Sequence, residues 1–136
     1  DTEIHAVNVV DVRFGSEDKL RKLAAKTHDI LNRIEPGFVA AGWQERIVWR
    51  DEFLAGGYAH VDERTETAAR AAEEQLGLAL ETTYTGKAMA ALLHDLPSNP
   101  GDVMFWCTYG GQRLPVTAEK PDELRNIPLE FARYYA

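Results

Sequence analysis

The chain has 136 residues, 45% of them hydrophobic and 27% charged, with a net charge of −7. That is a globular composition sized for one domain, which excludes disordered and fibrous classes. The 15 basic residues are scattered among 22 acidic ones, so the clustered Lys and Arg that hold phosphate backbones are missing and no nucleic-acid partner is expected. Cys107 is the single cysteine, which precludes an intrachain disulfide and fits a reducing cytoplasm. No apolar run approaches the ~20 residues of a membrane span, and Asp1-Thr2-Glu3 lacks the features of a signal peptide. Without an initial Met, the sequence is expected to be either processed at its N-terminus or a piece of something longer.

Ile4 to Val12 is rich in β-branched residues and alternates only weakly, as a parallel strand covered on both faces does. Gly15-Ser16 punctuates it, and Ser16 can cap a helix whose first turn carries Glu17 and Asp18. Leu20, Leu23, Ala24, Thr27, Ile30, Leu31 and Ile34 then form one apolar stripe, which Pro36-Gly37 ends. Between Phe38 and Gly57 the pattern is mixed, with a short strand over Ile47-Val48-Trp49 and a turn at Gly56-Gly57. Asp62 or Thr65 can cap the next helix, whose small face of Ala68, Ala69 and Ala72 runs to Leu76 before Gly77 at a C′ position.

Leu78-Ala79-Leu80 predicts a short strand, residues 87–95 a helix ended by Pro97, and Val103-Met104-Phe105-Trp106-Cys107 a buried strand running into Thr108. This alternation of helices and strands predicts an α/β fold: a mostly parallel sheet with helices on both faces. Residues 1–111 form that domain, and 112–136 a C-terminal arm packed on it, in which Pro121 starts and Pro128 interrupts a helix.

Two junctions are chemically suggestive. Gly86 at a helix start lets backbone N–H groups approach a phosphate or carboxylate. Tyr84 beside it either sets a ring over a ligand or sits half-buried in the core. Lys87 is either a desolvated Schiff-base former or, as first-turn lysines usually are, a solvated helix residue. Thr108, at the C-terminal end of a strand and before Gly110 and Gly111, either meets a heterocycle nitrogen at the ligand edge of the sheet or bonds its own turn. The sequence has no G-x-G-x-x-G, no Walker motif and no G-x-S-x-G elbow. His5, His28, His60 and His94 have no metal-ligand spacing, and Cys107 reads as a core residue.

Tyr84-Thr85-Gly86-Lys87-Ala88-Met89-Ala90-Ala91-Leu92 resembles the Y-T-G-K-A motif near the end of D-cysteine desulfhydrases and the related 1-aminocyclopropane-1-carboxylate deaminases, pyridoxal-phosphate enzymes of the tryptophan-synthase β fold (fold type II). The order of elements is similar over residues 4–111: a first strand, a long helix, Asp51-Glu52-Phe53 with Gly57-Tyr58, an alanine-rich helix, the Y-T-G-K motif, and a strand closing in Cys107-Thr108-Tyr109-Gly110-Gly111.

The resemblance implies that Thr108, with Gly110 and Gly111, binds the coenzyme, the threonine hydroxyl meeting the pyridine nitrogen. It implies that Tyr84 and Tyr58 face the substrate, and that Thr85 stands where the deaminases carry a glutamate, which favours a desulfhydrase-like lyase reaction on a small amino acid over ring opening. The chain also departs from the family. Members are about twice as long, and their Schiff-base lysine and glycine-rich phosphate loop lie N-terminal to the part matched. Glu81-Thr82-Thr83 replaces D-P-V, and Tyr109 is inserted before the glycines. The expectation is a C-terminal half, inactive alone, that binds pyridoxal phosphate only together with the N-terminal portion and pairs with that portion, another copy or a different chain. A non-catalytic ligand-binding or assembly module is the alternative.

Overall fold

The computed structural model describes residues 2–37, 42–98 and 101–110. Strand β1 (Ile4–Val7), helix α1 (Glu17–Ile34) and strand β2 (Ile47–Arg50) form a β-α-β unit, followed by helices α2 (Glu63–Leu76) and α3 (Thr85–Asp95). The strands pair in parallel, Ile4 opposite Ile47 through Val7 opposite Arg50, as strands joined by a helical crossover do. Just past the ladder, the Asn8 amide N–H donates to Arg50 O at 2.8 Å and its side-chain amide to Asp51 at 2.9 Å.

The caps form as expected from residue type. Ser16 Oγ accepts from the Lys19 N–H at the start of α1. Asp62 accepts from both the N–H and the hydroxyl of Thr65 at the start of α2. Gly77 closes α2 with φ 65°, its N–H on Glu73 O and that of Leu78 on Ala72 O, a left-handed closure that glycine adopts without strain.

The core lies between α2 and α3. Phe53, Ala68, Ala72, Met89, Ala90 and Ala91 are buried, with Val7, Leu78, Leu80, Leu92 and Phe105 packed around them. The small face of α2 lets the two helices approach closely, with Gly86 at the crossing: a Cβ there would sit 2.9 Å from Glu81 O and 3.1 Å from Thr65 Cγ2. Phe53 is flanked by two guanidinium groups, Arg50 at 5.2 Å and Arg64 at 5.4 Å from its ring centre. Arg50 also ties β2 to the far end of α3 through Asp95, to β1 through His5 and to Glu52.

The fold is thus α/β, but its sheet is smaller than the sequence predicts: among the described residues two strands pair, and the ladder of β1 stops at Val7, not Val12. Residues 78–80 and 103–107 form no strand. Leu78, Leu80 and Phe105 pack against the core, but Val103, Met104 and Trp106 are exposed, and neither segment has the backbone partner that a strand requires. Nor is β1 covered on both faces, since Ile4 is 57% exposed. The arm expected over 112–136 and Gly111 lie outside the described residues. No helix among the described residues is long and apolar enough to cross a membrane.

Candidate functional site

Helix α3 begins with its free N–H groups already occupied. The Glu81 carboxylate accepts from the backbone N–H of Thr83 at 2.7 Å, Tyr84 at 2.9 Å and Thr85 at 2.6 Å, and from the Thr85 hydroxyl at 2.9 Å. The Gly86 N–H goes to Glu81 O at 2.7 Å. Burial works against the charge on Glu81, but these hydrogen bonds outweigh it and hold the carboxyl below its ordinary range. The helix start predicted to attract an external anion therefore carries one of its own. Thr85, expected to face a substrate, is buried with its hydroxyl on Glu81.

Lys87, expected to be solvated, is instead fully buried at 0% exposure. Its ammonium donates to Leu54 O at 2.7 Å and Gly57 O at 2.8 Å. Burial lowers its pKa, opposed by the carboxylates of Asp62 and Glu81. The spacing held a signal for this placement: Lys87 precedes Ala90 and Ala91, both buried, by three and four positions, so all three lie on one helical face.

The loop after β2, residues 51–60, brings Tyr58 to Tyr84. The Tyr84 hydroxyl donates to that of Tyr58 at 3.1 Å, and the rings meet edge to face with centres 5.9 Å apart. Tyr58 is 53% and Tyr84 45% exposed, so the pair faces solvent. The hydrogen bond to Tyr58, with smaller contributions from burial and the charge of Glu81, raises the pKa of Tyr84 above the ordinary phenol value. Of the residues singled out from sequence, the structure joins Tyr58 and Tyr84 directly and places Thr85 next to Tyr84 in α3. Thr108 and Gly110 are exposed, and among the described residues no hydrogen bond links either one to the tyrosines. Glu81 was missed by the sequence reading: Tyr84 occupies the N-cap position without a side-chain cap bond, and a carboxylate reaching the helix start from three residues further back is not the residue type and position by which caps are recognised.

A separate open cavity of about 740 Å³ lies past the C-terminal ends of β1 and β2, lined by Asn8, Asp11, Ser16, Trp49 and Asp51 among others. It contains none of the site residues singled out from sequence, although Leu54, whose carbonyl accepts from Lys87, is part of its lining. Among the described residues no group of three or more His, Cys, Asp or Glu is arranged to hold a metal ion. Compared with protein-family models, curated proteins and solved structures, the chain has no match.

Proposed function

We propose that this chain is the C-terminal portion of a pyridoxal-phosphate-dependent amino-acid lyase or deaminase of fold type II, supplying the substrate side of the site and, through Thr108, the pyridine-nitrogen side. The observation that carries the reading is the pairing of Tyr58 and Tyr84, two residues 26 positions apart whose hydroxyls meet at 3.1 Å on an exposed surface. They come from the two segments, Gly57-Tyr58 and Tyr84-Thr85-Gly86-Lys87, that carry the resemblance.

The residues fit one side of such a site and not its anchor. The ammonium of Lys87 is committed to two carbonyl oxygens, and Glu81 fills the helix start where a phosphate would sit. Both requirements, the Schiff-base lysine and the phosphate cradle, fall to a companion segment. Pyridoxal phosphate, when bound, supplies the electron sink for bond cleavage at the amino acid's α-carbon. Tyr84 spends its proton on the Tyr58 oxygen, which leaves the Tyr58 O–H free to donate to a substrate carboxylate or leaving group, while the Tyr84 oxygen can accept from the substrate amine. Thr108 would be the residue to offer the pyridine nitrogen a neutral hydroxyl, and a neutral partner there would make the coenzyme a weaker electron sink.

The test is the absorbance of bound coenzyme and amino-acid turnover in the purified chain, with and without an N-terminal companion. Colour and turnover are expected only in the complex, with Y58F and Y84F each lowering turnover ~10²-fold. A chain that neither binds coenzyme with its companion nor turns over a small amino acid is instead a non-catalytic ligand-binding or assembly module.

A further inference from the structure

We propose that Lys87 is a positioning residue: its ammonium, seated on the carbonyl oxygens of Leu54 and Gly57, holds the 54–60 loop in the shape that sets the Tyr58 hydroxyl against Tyr84. This deepens the reading above and rests on it for the tyrosine pair's role, while the strut itself depends only on this chain.

Three observations converge. First, Lys87 is completely buried, and among the described residues no carboxylate lies within ion-pair distance of its ammonium. Packing alone favours an apolar side chain at such a position, because a buried charge is tolerated only where its hydrogen bonds compensate for lost water. The two carbonyls, at 2.7 and 2.8 Å, are that compensation.

Second, the loop is one that the backbone does not adopt unaided. Ala55, Gly56, Gly57 and Ala59 have φ of 56°, 83°, 146° and 58°, and the two alanines occupy a left-handed region that a Cβ disfavours. The same two carbonyls also close the loop's own turns, Leu54 O accepting from the Gly57 N–H at 3.2 Å and Gly57 O from that of His60 at 3.3 Å. One ammonium thus fastens both turns, the second at the residue just before Tyr58.

Third, Tyr58 is half-exposed, and Tyr84 is its hydrogen-bonding and ring-stacking partner, so its place is set by the backbone that carries it. Tyr84 and Lys87 stand three residues apart at the start of α3. The same helical turn therefore presents one phenol and the strut that places the other.

The experiment is a titration of Tyr84 in the full chain by NMR of ring-labelled tyrosine, comparing wild type, Y58F and K87M. Wild-type Tyr84 is expected to titrate above the ordinary phenol value and Y58F to lower it. K87M, with helical circular dichroism and a cooperative melt retained, is expected to lower it as far as Y58F does and to abolish the ring-to-ring Overhauser contact. Deprotonation of Lys87 at the high end of the titration does not undo the strut, since a neutral amine keeps two N–H donors for two carbonyls.

A folded K87M whose Tyr84 titration and ring contact match wild type overturns the proposal. If K87M does not fold, wild type decides. Scalar couplings from Lys87 Nζ to the carbonyl carbons of both Leu54 and Gly57, alongside a raised Tyr84, support the strut; a solvent-exchanging ammonium without those couplings, Tyr84 still raised, overturns it. None of these readouts uses coenzyme. Failure to bind coenzyme therefore sinks the proposed function and leaves the strut, and an unmoved Tyr84 does the reverse.

Discussion

The two halves of this molecule are held together by different physics. In the α2–α3 half, six residues of α3 between Thr85 and Ala91 are buried, and the helix closes on Phe53, Ala68 and Ala72. In the β1–α1–β2 half, the 18-residue helix α1 buries none of its side chains. One edge of its apolar stripe, Leu20, Ala24 and Leu31, is partly covered, whereas Leu23, Ile30 and Ile34 are 64%, 50% and 76% exposed. That half is secured by polar links instead. Arg21 donates to the carbonyls of Gln44 and Ile47, and Arg50 reaches across to Asp95 of α3. Apolar packing thus sets the stability of the second half, and directed charge sets how the first is attached to it.

The packed half is most easily disrupted at Met89. With 1% exposure at the centre of the core, M89A should cost about 3 kcal/mol and unfold the whole chain at lower urea. If only one half melts early, the halves are not one cooperative unit. Next comes Arg50, whose guanidinium is held firmly in its charged form by Asp95 and Glu52. R50M should cost about 2 kcal/mol, less than a fully buried pair because Asp95 and Glu52 are partly solvated. Its signature should be faster amide exchange in β1 and β2, with α2 and α3 unchanged.

A milder lever is pH. Asp95, hydrogen-bonded by Arg50 and His94, and Asp62, whose bonds to Thr65 and Arg64 overcome the opposing effect of burial, both fall from 3.8 to about 2. Depressed carboxyl pKa values stabilise the fold above the unfolded value and lose that contribution as pH falls through the folded one. Thermal stability should therefore decline between pH 3.8 and about 2, by about 1–2 kcal/mol for each group, and D95N should flatten part of that slope. The smallest effect belongs to the uncovered stripe: L23A and I34A should each change stability by less than about 0.5 kcal/mol. A larger loss in the purified chain means that another copy covers α1.

What the sequence disclosed divides along the same line between local and distant causes. Helix spans, the Ser16 cap, Asp62 as one of the two caps offered for α2 and the Gly77 closure follow from neighbours a few positions apart, and they were legible; the parallel sheet was legible only from the alternation of elements, without saying which strands pair. A strand is a claim about a partner elsewhere in the chain, so Leu78-Ala79-Leu80 and Val103 to Cys107 satisfied the apolar pattern of strands without becoming them. At the site, the motif pointed to Tyr84, and the resemblance added Tyr58 as its fellow. The burial of Lys87 was written in its spacing to Ala90 and Ala91 but was overridden by the habit of lysines at helix starts. Only the fold brings Leu54 and Gly57, 33 and 30 positions earlier, beneath its ammonium.

Glu81 makes the opening of α3 indifferent to dissolved ions. Sulfate or phosphate gains nothing where three backbone N–H groups and a hydroxyl already hold a tethered carboxylate. E81Q trades that carboxylate for a neutral amide, costs about 1–2 kcal/mol and should give the protein a melting temperature that climbs with added phosphate. In the native chain that dial is disconnected, and the angle at which Tyr84 leaves the helix is fixed by an internal counter-ion whatever the buffer contains.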